Sequence, residues 1–302
     1  VQFLATFIMK GRMQAMTVAS SLALLSLLFP PVSIVSSAAV SLVTLRRGAS
    51  EGLYVLICSC VAAAVLSTLL IGNYQYALLY GLAFWLPVWL ISIVLREGRY
   101  LTLAIEIAVL LGVAVVLGIY TIQEQPVQLW REVLSFMLQP MLEGKTDVSL
   151  EQIKQSAELL AHFMTGVAAA GSVYGLLFGL FLARWWQAAL YNPGGFRAEF
   201  LALKGHVHLT LMTLLVAGVA MLTSGKTAEL CWNVLLVLLV TYTMIGTAVL
   251  HAAFSVMKGS RFMVPFLYVT LMLIPHVMVV IVLCGLTDTW LDLRNKLKPK
   301  GA

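Results

Sequence analysis

The sequence predicts an all-α, polytopic membrane bundle, and three observations predict it. Of its 302 residues 61% are hydrophobic and 11% charged, a balance that suits a chain solvated largely by lipid. The apolar residues gather into nine runs of roughly the length that crosses a bilayer, about 20 residues. The 19 lysines and arginines and 13 acids fall almost wholly in the gaps, and Glu106 alone stands well inside a run.

The runs cover 13–29, 32–45, 52–71, 76–95, 100–122, 159–183, 207–222, 230–257 and 262–286, which leaves no room for a separate soluble domain. About eight to nine membrane segments are expected. The first two runs are short and meet at Pro30-Pro31, where proline ends a helix, so 13–45 is either two tilted spans or a re-entrant hairpin. Lys10 and Arg12 before an apolar run look like a signal peptide. With no A-x-A site ahead of the next run, the segment reads as an uncleaved anchor.

Basic gaps alternate with neutral or acidic ones. Lys10/Arg12, Arg46/Arg47, Arg96/Arg99, Arg184/Arg197/Lys204 and Lys258/Arg261 mark one side, which the positive-inside rule makes cytoplasmic along with the N-terminus. The loop 123–158 carries six acids against three bases and belongs outside. Nine crossings would leave the basic tail of Arg294, Lys296, Lys298 and Lys300 on the wrong side. An even number resolves this, either because Pro275 splits the last run or because an early run does not cross.

The outside loop has helical character. Trp130, Val133, Leu134, Met137 and Met141 recur at helical spacing after Pro126, which predicts an amphipathic helix acting as a spacer or as a gate. Ser149 and Gln152 form a capping-box pattern opening a helix that runs on into the segment ending at Ala183.

Glu106 is the first candidate site. A charged carboxylate facing lipid costs about 3 kcal/mol, so Glu106 should face a partner, a cavity or the bundle interior. His251 lies at a similar depth, seven residues before Lys258 as Glu106 lies seven after Arg99, and a Glu106–His251 pair is expected, with each residue separately capping backbone groups as the alternative. His276 after Pro275 either joins a ligand site or satisfies carbonyls freed by the proline.

Gly171, Gly175 and Gly179 repeat every fourth residue and predict close helix packing; Ala15, Ala19 and Ala23 repeat likewise and predict packing or a docking face for another subunit. Arg184, Arg197 and Lys204 flank the turn sequence Asn192-Pro193-Gly194-Gly195 and could contact an anion or lipid headgroup. Asp288 and Asp292, four apart, are expected on one helical face, either in an ion-pair cluster or around a cation. Cys58, Cys60, Cys231 and Cys284 sit in apolar segments as packing residues. His206 and His208 have the wrong spacing for a helical metal pair, so neither metal nor cofactor is expected, and the scattered basic residues offer nucleic acid no contiguous patch.

Three stretches, Phe7-Ile8-Met9-Lys10-Gly11-Arg12, Ala183-Arg184-Trp185-Trp186-Gln187 running to Tyr191-Asn192-Pro193-Gly194-Gly195-Phe196, and Gly285-Leu286-Thr287-Asp288-Thr289-Trp290-Leu291-Asp292-Leu293-Arg294, resemble the YybS-like family of uncharacterised bacterial membrane proteins. That family is distantly similar to the substrate-binding S components of energy-coupling-factor transporters. Those components dock a coupling subunit through an A-x-x-x-A stripe on their first span, which Ala15, Ala19 and Ala23 resemble. They have about six spans, fewer than the runs here.

The resemblance implies the bacterial inner membrane. The function expected first is a non-enzymatic one, binding a small solute within the bundle as a transporter or transport subunit, with Glu106, His251 and His276 at the site. The alternatives are a scaffold for another membrane complex, and an enzyme acting on lipid or isoprenoid phosphates through Asp288 and Asp292.

Overall fold

Proline, glycine and charge cut this apolar chain into helices that double back on one another. The computed structural model describes residues 2–143, 150–257 and 260–297, all of it helix and connection with no strand among the described residues. Ser149, Lys258, Lys298 and Lys300 lie outside them.

A short α1 (Gln2–Lys10), not anticipated as a separate helix, breaks at Gly11 into α2 (Arg12–Leu25). Pro30-Pro31 turns the chain into α3 (Val32–Arg47). One residue, Gly48, then separates α3 from α4 (Ala49–Ile71); its φ of 107° is a conformation that side chains resist. The next rod is α5 (Gln75–Tyr80), a wide π turn over 81–85 and α6 (Leu86–Gly98). Pro87 accounts for the widening, because its ring excludes the carbonyl four residues back.

After α7 (Leu101–Ile122) come α8 (Pro126–Glu143) and α9 (Leu150–Ala161), a helical hairpin outside the bundle. The expected amphipathic helix is therefore present as α8, with Leu134 buried and Trp130 donating to Thr165 Oγ1 at 2.8 Å. The helix beyond Ser149 does not run on to Ala183. It stops at Ala161, turns at His162-Phe163 and restarts as α10 (Met164–Tyr191).

A short α11 (Gly195–Leu201) leads to α12 (Val207–Leu222) and the long α13 (Gly225–Ser255). The last apolar run is two helices, α14 (Ser260–Leu273) and α15 (Val277–Leu291), divided at Pro275, which is one of the two resolutions offered for the tail charges, and α16 (Leu293–Leu297) closes the described chain. Among the described residues five segments are long and apolar enough to cross a membrane: α4, the α5–α6 rod, α7, α10 and α13.

Lipid supplies little hydrophobic force between helices, so close packing and hydrogen bonds must hold the bundle. Helix α3 is buried throughout 36–45 and packs on α2, α4, α6 and α10. Its polar residues bond across: Trp85 Nε1 donates to Ser36 Oγ at 3.1 Å, Ser36 Oγ to the Ala19 carbonyl at 2.7 Å, and Ser41 pairs with Ser92 at 2.7 Å. A second layer centres on α13 against α7, α10, α12 and α15.

Of the two parts expected of the alanine stripe the chain uses packing, and the glycine stripe packs only in part. Ala15, Ala19 and Ala23 are fully buried inside the chain and offer no docking face. Of the glycine stripe only Gly179 packs tightly, where an added Cβ would lie 3.0 Å from Ser37; Gly171 faces open space. The closest helix approach is instead Gly246 on Gly285, where added Cβ atoms would lie 1.9 and 2.1 Å from backbone oxygens of Ile281 and Tyr242.

Ion pairs and caps define one basic end. Arg12 pairs with Glu51, Arg47 donates to the Met9 carbonyl, Arg96 to the Leu45 carbonyl, and Arg294 to the Leu201 carbonyl at 2.7 Å. The first and last described helices therefore both reach this end. The α8–α9 hairpin covers the other.

Candidate functional site

The densest polar network lies at the hairpin end, where four chain breaks converge. Tyr120 stands in the last turn of α7, Arg131 on α8, His162 in the turn before α10, and Lys226 and Glu229 in the first two turns of α13. The anchor is Asn233, one turn deeper on α13 and fully buried. Its Oδ1 accepts the Gly166 N–H at 2.5 Å, which fixes the amide, and its Nδ2 faces the carbonyls of His162 (2.7 Å) and Glu229 (2.8 Å) and the Tyr120 hydroxyl (3.1 Å). Position 166 must be glycine here, since a Cβ would lie 2.6 Å from Asn233 backbone.

Glu229 collects the rest. Tyr120 Oη donates to its Oε1 at 2.6 Å, and His162 Nδ1 lies 2.8 Å from its Oε2. The other ring nitrogen of His162 faces Glu158 at 3.8 Å, and Glu158 in turn is gripped two-pronged by Arg131. That hydrogen-bonded guanidinium holds the Glu158 carboxyl below its ordinary value, and the carboxylate raises the guanidinium in return. Both groups are exposed, so the tie orients the hairpin more than it stabilises it.

Beside this network opens a cleft of about 620 Å³, walled by Pro126, Arg131, His162, Phe163, Lys226, Glu229 and Trp232. Lys226 Nζ is held over it by the Glu124 carbonyl at 3.2 Å. Cationic and anionic groups thus share one cleft with the rings of Phe163 and Trp232. Such a cleft suits a small polar solute carrying both charges or several hydrogen-bonding groups.

The residues singled out from the sequence do not meet here. Glu106 is buried and paired with His206, whose Nδ1 lies 2.7 Å from Oε1 and 2.8 Å from Oε2. The expected partner, His251, instead contacts the Tyr268 hydroxyl at 3.2 Å and the Phe200 ring. The reason is the path of the chain after α11: buried Leu203 draws the connection inward, so His206 begins α12 at the depth of Glu106. The carboxylate then sits at the N-terminal end of α12, where the helix dipole favours it. His276 is exposed in the turn before α15 and joins neither pair.

Asp288 and Asp292 do not share a helical face, because α15 ends at Leu291 and Asp292 adopts φ 45°. Asp288 is fully buried, accepting from Arg294 at 2.6 Å and the Leu293 N–H at 2.9 Å; Asp292 pairs with Lys204 at 3.3 Å. Arg184, Arg197 and Lys204 are likewise dispersed. Arg184 clasps Glu199, Arg197 lies beside His251, and Lys204 meets Asp292.

The described residues and this geometry define a helical membrane protein with a polar cleft under a helical hairpin at one end of the bundle. No family model, curated protein or solved structure matches the chain.

Proposed function

We propose that the protein binds a small polar or zwitterionic solute in the cleft between α8 and α13 and passes it into or across the membrane, as a transporter or the solute-binding part of one. The observation that carries this reading is that Glu229 and His162, held from behind by Tyr120 and Asn233, line one cleft together with Lys226 and Arg131. Preformed, mutually supported polar groups around an otherwise apolar hollow are what solute recognition requires.

In this reading the basic end is cytoplasmic, the hairpin faces outward, and the membrane is the inner membrane of a bacterium, in keeping with the resemblance to the YybS-like family. The chain crosses ten times, as α2, α3, α4, α5–α6, α7, α10, α12, α13, α14 and α15. This is one or two more than the eight to nine segments expected from the apolar runs, and it returns the C-terminus to the cytoplasm. The scaffold reading loses its docking stripe to the buried alanines, and the phosphate-enzyme reading loses its carboxylates to Arg294 and Lys204.

The test is a panel of amino acids, polyamines, nucleosides and vitamins added to the purified protein while its melting is followed. A stabilising solute is expected, with affinity lowered about tenfold or more by Glu229→Gln or Lys226→Met, as loss of a charge-assisted contact entails. A solute whose binding ignores both substitutions would move the site elsewhere.

A further inference from the structure

At the opposite end of the bundle three guanidinium groups, Arg96, Arg99 and Arg184, line a pocket of about 230 Å³ with one carboxylate, Glu199, among its walls. Two of the three are committed. Arg184, only 15% exposed, clasps Glu199 and donates from Nη1 to Gln187 at 2.8 Å, and Arg96 caps α3 through the Leu45 carbonyl at 2.7 Å while its Nε lies 3.4 Å from the exposed Glu97. The side chain of Arg99 makes no hydrogen bond or ion pair with any described residue.

The backbone of Arg99 adds a second observation. It closes α6 at φ 58°, the left-handed position where helices ordinarily end on glycine. An arginine kept at a strained site, with its charge unspent and at the mouth of a basic pocket, is poised for an external partner.

We infer that this pocket binds a phosphate-bearing anion. Guanidinium forks match the several oxygens of a phosphoryl group, and the two forks with spare N–H groups plus the free Arg99 supply more donors than a single carboxylate would use. Leu45 and Leu95 complete the wall and suit the glyceryl carbons of a phosphoester. The pocket shares no residue with the hairpin-end cleft, so either site can fail alone.

The source of the phosphate is a lipid headgroup or a soluble ester, and two arms separate them. In one, detergent-purified full chain is titrated with inorganic phosphate and glycerol 3-phosphate, against chloride at equal ionic strength. In the other, phosphatidylglycerol retained from mixed nanodiscs is counted by native mass spectrometry, against phosphatidylcholine. Saturable binding in the first arm marks a soluble ester; selective retention in the second alone marks a headgroup. In either arm Arg99→Gly should weaken binding about tenfold or more. Glycine fits the left-handed backbone, so unliganded melting at or above the wild-type temperature shows that the fold is intact. Arg99→Lys, which keeps the charge without the fork, should fall between. Phosphate no better than chloride together with no preference for phosphatidylglycerol overturns the proposal, and so does binding that Arg99→Gly leaves unchanged.

Discussion

Asn233 organises the network at the hairpin end without itself lining the cleft. Its amide ties α13 to α7, α10 and the His162 turn, so truncation leaves the Gly166 N–H and the His162 carbonyl unsatisfied in a buried place. Asn233→Ala should lower stability by ~1–3 kcal/mol, read as a fall in melting temperature, and should weaken solute binding as well. Asp at this position should be little better, because it accepts from Gly166 but cannot donate.

Glu158 carries a pH prediction. Its carboxyl titrates below the ordinary value because of Arg131, so the tie is complete above that ordinary value and is lost as pH falls through the lowered one. Spin labels at Gln128 and Gln155 should hold their separation down to mildly acidic pH and spread below it. In Arg131→Gln the spread should be present already at neutral pH. None of these partners was legible in the sequence, since Glu229, His162 and Asn233 belong to chain segments far apart, and only the fold brings them together. Glu106 was legible as a residue needing a partner; that its partner is His206 depended on a dip in the chain that spacing does not encode.

Among the elements, α13 and α15 show where close packing actually resides. Gly246→Ala and Gly285→Ala each push a methyl into backbone, which cannot step aside, and should cost ~1–3 kcal/mol or more and loosen α15. Gly171→Ala, with nothing in reach, should melt within a few tenths of a kcal/mol of wild type. Regular spacing pointed to the wrong glycines because periodicity reports a shared face and not which neighbour occupies it. Gly246 and Gly285 belong to no every-fourth-residue repeat and carry no such signal. The long apolar helices were plain from hydropathy, as was the amphipathic α8, while the break at Pro275 was one of two resolutions of the tail charges and the short α1 gave no signal. The end of α9 at Ala161 was not, because the turn at His162-Phe163 contains neither proline nor glycine.

For the whole molecule, the arrangement is a bundle with one basic end, where arginines tie the first and last described helices through ion pairs and hydrogen bonds, and one covered end, where polar groups line a cleft. If the chain crosses ten times as proposed, cysteine labelling should find both Lys296 and Lys10 on one side of the membrane and Gln125 on the other.

The central claim is that the covered end receives a solute. It is tested most directly by a cryo-electron map of the protein purified from its own membrane in nanodiscs. The account predicts density for a small molecule between Trp232, Lys226 and Glu229, gone in Glu229→Gln. A cleft filled by its own side chains, with bound density beside Glu106 instead, would contradict it.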